Sequence, residues 1–156
     1  MTQLTINFSL AEMTTTEQRQ DNTCPAHLLP ELLETAMLMQ RIRAALSADA
    51  GREIAINVTS GYRSVAVNQA VGGSATSDHC AAMAVDFKAP AYGTPYKVAA
   101  FLAKHQAALQ IGQIIHEFGR WVHVSRRTPA KDINRAITYH LVAGVTRVDA
   151  GIVEVA

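Results

Sequence analysis

An α+β fold is what this sequence predicts: a small antiparallel sheet with N-terminal helices packed on it. Three observations point there. Helix signals crowd the first third of the chain, most strand-like alternation comes later, and the strands are joined by links short enough for antiparallel neighbours.

The elements follow in order. Ser9 and Glu12 form a capping box that opens a helix at Leu10, and Phe8 with Met13 supplies the hydrophobic staple. Thr14-Thr15-Thr16 has poor helix propensity and keeps that helix short. Asp21 to Pro25 is a loop leading to a second start. From it Leu28, Leu32, Thr35, Met39, Ile42 and Leu46 recur at helical spacing, predicting a long amphipathic helix to about Ala48. Glu53 to Val58 alternates and reads as a strand, with Thr59 to Ser64 a loop. A short helix through Asn68 and Ala70 ends at Gly72-Gly73. Met83 to Lys88 is the next strand. Thr94-Pro95 starts a helix with Val98, Phe101, Leu102 and Leu109 inward. Gln113 to Glu117 and Trp121 to Ser125 are two strands about a tight turn at Gly119. Strand-like stretches at Ala136 to Val142 and Ile152 to Val155 close the chain; residues 126–156 carry no motif.

The 156 residues suit one domain, 1–156, with a single core. A net charge of +1 gives no footprint for nucleic acid and no polybasic membrane patch. No run approaches the length of a membrane span. The N-terminus lacks the basic and apolar regions of a signal peptide, so synthesis in the cytoplasm is expected, with export, where needed, by a separate protein. Cys24 and Cys80 make no disulfide framework, and Cys80 reads as a small buried thiol.

Two anomalies carry chemistry. Ser77-Asp78-His79-Cys80-Ala81-Ala82-Met83-Ala84-Val85-Asp86-Phe87 places Asp86 inside an apolar run. A carboxylate buried without a partner costs several kcal/mol or more. Trp121-Val122-His123-Val124-Ser125 repeats the pattern with a histidine. If the two strands are neighbours, His79, Asp86 and His123 converge on one sheet face, and two imidazoles with one carboxylate make a catalytic zinc shell. Zn²⁺ is the expected cofactor, although such a set also suits other divalent ions.

A hydrolytic metal site needs a general base. His116 and Glu117 are adjacent, and hairpin register decides between them, because a one-residue slip exchanges the faces. A two-residue turn pairs His116 with His123. A three-residue turn, Phe118-Gly119-Arg120, pairs Glu117 with Trp121 on the face of His123. Glycine in the left-handed region suits the longer loop, so Glu117 is the preferred base and His116 a supporting donor near the substrate. Arg63 follows a central strand: it holds a substrate carboxylate, polarises a scissile carbonyl, or forms a structural salt bridge. Trp121 walls the cleft or packs in the core.

These residues, in this order, resemble the D-Ala-D-Ala carboxypeptidase-like zinc peptidases, which include many phage endolysins. That family's pattern is Ser-x-His-x-x-Gly-x-Ala-x-Asp, then Glu, then Trp-x-His. Ser77, His79, Ala84 and Asp86 match its first part; Glu117, Trp121 and His123 match the rest. Ser60-Gly61-Tyr62-Arg63-Ser64 is similar to the family's arginine loop, and Asn7 to Met13 to the opening of small phage-type members. The likeness spans about residues 7 to 126. Ala82 stands where the family has glycine, and Arg120 stands where some branches place the catalytic glutamate. The resemblance implies a hedgehog/DD-peptidase-like fold and zinc held by His79, Asp86 and His123. Together with the reading of the residues above, Glu117 and Arg63 are the expected catalytic groups, with Arg63, Ser77, Trp121 and His116 at the substrate. The resemblance also implies a peptidoglycan stem-peptide bond as the target. A monomer that acts on the cell wall after release, or is carried on a virion, is the corresponding expectation. A D-Ala-D-Ala carboxypeptidase on soluble precursors and a non-catalytic zinc-bearing module are the alternatives.

Overall fold

The computed structural model describes residues 1–155. Its elements are α1 (Leu10–Met13), α2 (Leu29–Ala50), β1 (Asn57–Ser60), α3 (Val65–Ala70), β2 (Ala84–Lys88), α4 (Pro95–Lys104), α5 (Gln106–Leu109), β3 (Gln113–Glu117), β4 (Trp121–Ser125), β5 (Ala136–Val142) and β6 (Val145–Ala150). The fold is α+β, built on one six-stranded sheet in the order β1-β2-β4-β3-β5-β6.

Local chemistry explains most of the helices. Ser9 and Glu12 make both halves of the capping box of α1, and the staple residues Phe8 and Met13 are buried in the core. A single 3-10 turn over Ala26–Leu28 leads into α2, which has Pro30 in its first turn and ends at Gly51 with φ +66°. Leu32, Thr35, Met39, Ile42 and Leu46 of the predicted stripe are fully buried, with Leu28 at its margin. The predicted helix after Thr94 is broken at His105 into α4 and α5.

The sheet separates two environments. Val85 and Phe87 of β2, Val122 and Val124 of β4 and Ile114 of β3 share the face that packs with α2 and α4 to form the core. Alternation sends Asp86, His123, Ile115 and Glu117 to the other face.

Three features differ from the sequence expectation. First, the sheet is mixed: β3 and β5 are parallel, while the other pairs are antiparallel. The crossover from β4 to β5 runs through residues 126–135 and passes so close to Gly112 that a Cβ there would lie 2.4 Å from the Arg127 backbone. Second, β1 starts only at Asn57, which pairs with Lys88, the last residue of β2; residues 53–56 lie past the end of their partner. Third, Ile152 to Val155 is not a strand. The last strand is β6, which turns back from β5 through Ala143 and Gly144, both at positive φ, with Val142 opposite Val145. The tail docks through side chains instead: Thr138 Oγ1 donates to Gly151 O at 3.0 Å and accepts from Val153 N at 2.9 Å.

Thr35 joins α2 to the loop before β2. Its hydroxyl donates to Ala82 O at 2.7 Å and accepts from Arg126 Nε at 3.1 Å. Both Thr35 and Ala82 are fully buried. Thr35→Val keeps the shape and strands a buried carbonyl, so stability is expected to fall by about 1–3 kcal/mol. Urea unfolding checks this: the midpoint drops while the slope is unchanged.

Candidate metal centre

Each donor comes from a different local device. Asp86 is mid-strand in β2 and pairs with His123 of β4. His79 comes from a run of turns, where an extended approach was expected, so Cys80 is half-buried rather than fully buried. That turn is fixed by Ser77, whose Oγ accepts from His79 N at 3.3 Å, and by Asp78, whose carbonyl accepts from Met83 N at 2.9 Å. Ala82, at the family's glycine position, takes φ +57° and is fully buried. A non-glycine residue there carries strain of about 1–2 kcal/mol.

His79 Nε2, His123 Nδ1 and an Asp86 carboxylate oxygen lie within 4.8 Å of one another, and all three residues are buried. His123 Nδ1 is 2.8 Å from Asp86 Oδ1, and His79 Nε2 is 3.2 Å from the same oxygen. His79 Nδ1–H donates to Gly61 O at 2.7 Å, which leaves Nε2 with its lone pair facing the cluster. Gly61 is required at that spot, since a Cβ would sit 2.2 Å from Met13 O. Arg63 Nη2 donates to Asp86 Oδ2 at 2.7 Å and Arg63 Nε donates to Ser60 Oγ at 2.8 Å. The arginine therefore braces the carboxylate, as the salt-bridge alternative has it. The donor set fits a divalent ion of the zinc type: two imidazole nitrogens and one carboxylate oxygen converge, and the outer atoms of His79 and Asp86 are already bonded to protein.

The charges are strongly coupled. Burial opposes ionisation of Asp86, yet the charges and hydrogen bonds of His79 and His123 outweigh it and hold the carboxyl well below its usual range. Burial pushes the His79 imidazole down, against the Asp86 charge, which pulls it up. Burial also opposes protonation of His123, but its hydrogen bond to Asp86 and the Asp86 charge raise it overall.

The hairpin adopts the longer turn. Glu117 pairs with Trp121, and both Phe118 and Gly119 take positive φ. Phe118 is held there by its ring contacts with Trp121 and Tyr139, at centroid distances of 6.2 and 6.1 Å. Glu117 Oε1 consequently stands 3.9 Å from His123 Nδ1. Burial first, and the Asp86 charge second, push its carboxyl up to about 7, against the opposing pull of His123, Arg63 and the Trp121 indole. Trp121 is half-buried on this same face. His116 is not brought to the cluster: it pairs with Val122 on the core face, where Nδ1–H donates to Val153 O at 2.9 Å and the ring meets Tyr96. The expected role of His116 beside the substrate thus meets the alternation rule, which turns its ring away from Glu117.

Several supporting residues escape sequence reading. Asn22 Nδ2 donates to Tyr62 O and Asn22 Oδ1 accepts from Ser64 N, which braces the arginine loop. Asp78 accepts from Ser125 Oγ at 2.6 Å and pairs with Arg127 at 2.9 Å, tying the His79 turn to the end of β4. Tyr139 pairs with Glu117 from β5, and burial with the Glu117 charge raises its phenol. Only the alternation in Ala136 to Val142 hinted at a strand there; nothing local named its partner.

Zinc affinity is expected to fall by more than about 100-fold in His79→Ala and by roughly 10-fold in Asp78→Ala, where only an outer support is lost. Competition with a chromophoric chelator measures both, and circular dichroism checks that each variant is folded.

No curated protein matches the chain. A family model, Peptidase M15, matches residues 6–125, well over half of the 156. The matched span contains His79, Asp86, His123 and Glu117, and the chain belongs to the Peptidase M15 family, the D-Ala-D-Ala carboxypeptidase-like zinc peptidases.

Proposed function

We propose that this peptidase cuts a peptide bond in the stem peptide or cross-link of bacterial peptidoglycan, in the manner of an endolysin. The observation that carries hydrolysis is the Glu117 carboxylate, set by hairpin register 3.9 Å from His123 on the donor face. The wall substrate is supported by the family and by the residue pattern around His79 and His123.

A divalent ion held by His79, Asp86 and His123 would supply Lewis acidity at the scissile carbonyl and make a neighbouring water more acidic. The protein does the rest. Glu117, ionised, accepts a proton from the attacking water as its oxygen bonds to the carbonyl carbon. Glu117 then delivers that proton to the amide nitrogen as the C–N bond breaks, so the carboxylate is restored with release of an acid and an amine. Partial burial suits both halves of this exchange, because a carboxyl pushed up to about 7 can both take and return a proton near neutral pH. Arg63 spends Nε and Nη2 on Ser60 and Asp86, and its remaining Nη1 edge supports the oxyanion. Trp121 forms a wall of the cleft that holds the peptide over Glu117.

Glu117→Gln is expected to lower turnover by about 10²–10⁴-fold while leaving zinc affinity unchanged. Turbidity loss of outer-membrane-stripped cell walls measures it, with a chelator and zinc add-back as the parallel arm. Release of free D-alanine from soluble peptides, with no clearing of walls, would move the assignment to a carboxypeptidase on precursors. A tightly bound zinc with neither activity would leave a non-catalytic module.

A further inference from the structure

Beside Trp121 the surface opens into a cleft of about 670 Å³, whose lining includes Lys88, Pro90, Pro95, Arg120 and Trp121. It adjoins the donor face directly. Trp121 is the cross-strand partner of Glu117. The β2–β4 register, which pairs Asp86 with His123 and Phe87 with Val122, carried one step further sets Lys88 opposite Trp121. Lys88 is thus two residues past Asp86 on the same face, and Arg120 comes from the turn that precedes Trp121.

The lining has two parts. Trp121, Pro90 and Pro95 give an apolar floor. Lys88 and Arg120 are exposed cations, and among the described residues neither forms a salt bridge. The nearby Lys97 is already committed, with its amine on Tyr92 O at 3.2 Å and over the Tyr92 ring. No acidic residue lines the cleft. An apolar trough with two unpaired cations and no anion complements an aliphatic group that ends in a carboxylate.

We infer that this cleft is a substrate subsite for a peptide residue bearing a free carboxylate, with its aliphatic part against Trp121, Pro90 and Pro95 and its carboxylate met by Lys88 and Arg120. The inference rests on the peptidase reading and adds to it a choice among substrates. A wall peptide whose acidic residue is free is taken; the same peptide with that group amidated lacks the charge that the two cations meet.

Three synthetic stem peptides test this: one fully acidic, one with its side-chain carboxylate amidated, one amidated only at the C-terminus. Binding is measured by isothermal titration to the zinc-loaded protein carrying Glu117→Gln, which slows turnover, and kcat/KM is measured with the zinc-loaded native protein. The acidic peptide is expected to bind about 10-fold more tightly than the fully matched side-chain amide, the sum of two exposed ion pairs. In the Lys88→Gln/Arg120→Gln double variant that preference disappears while the amide peptide binds as before, and raised salt has the same effect. Preference that tracks the C-terminal amide assigns the cations to the terminal carboxylate and overturns the side-chain assignment. Equal binding of all three peptides, or a preference that survives in the double variant, overturns the subsite. The titration is independent of turnover, so an inactive but discriminating native protein sinks the peptidase reading and leaves only a carboxylate-binding cleft, whereas an active protein that does not discriminate overturns the subsite alone.

Discussion

The structure depends on the burial of one carboxylate. Asp86 sits in the middle of a sheet with an apolar residue on each side, where an unpaired charge costs several kcal/mol. Three nitrogen-bearing side chains face it from three separate parts of the chain: Arg63 from the loop after β1, His79 from the turns before β2, and His123 from β4. Each of those segments must then be held in place. Asn22 holds the arginine loop, Gly61 lets that loop approach Met13 closely enough to offer its carbonyl to His79, and Asp78 fastens the turn to Ser125. The framework around the donors follows from satisfying that one charge.

The second constraint is the two-residue period of the strands. It gives Val85, Phe87, Val122 and Val124 to the helices and leaves Asp86 and His123 for chemistry. It also separates two neighbours of similar promise. Glu117 faces the donors, while His116 is committed to the tail carbonyl of Val153. The choice is made in the turn, where Phe118 and Gly119 both accept the left-handed region to provide the longer connection.

Much of this was readable from residues alone. Ser9 with Glu12, the stripe on α2, and the boundaries of β3 and β4 rest on local rules of capping and periodicity, and the structure reproduces them. The convergence of His79, Asp86 and His123 was readable because a polar residue in an apolar run demands partners. What was not readable depends on distant pairing. The parallel match of β5 with β3 has no turn to encode it, so the sheet was expected to be antiparallel and Tyr139 was overlooked. The apolar alternation of Ile152 to Val155 suggested a strand, but Thr138 binds that segment by its hydroxyl and no ladder forms. Arg63 was visible as a cation near the site; its bidentate commitment to Ser60 and Asp86 is tertiary information.

The β5–β6 hairpin lies beyond the residues that match the family, and it covers one flank of the sheet. Without it β3 would be an edge, with the row of backbone groups around Glu117 open to any passing strand. With it, Ile114 N and Phe118 N are bonded to Arg135 O and Tyr139 O, and the new edge is β6, which carries the exposed Arg147 and the half-buried Asp149 alongside the exposed Val145 and Val148. Charges on an edge discourage strand addition. The hairpin therefore moves the open border of the sheet two strands away from Glu117, so that a strand added to that border would meet β6 and leave the donor face undisturbed.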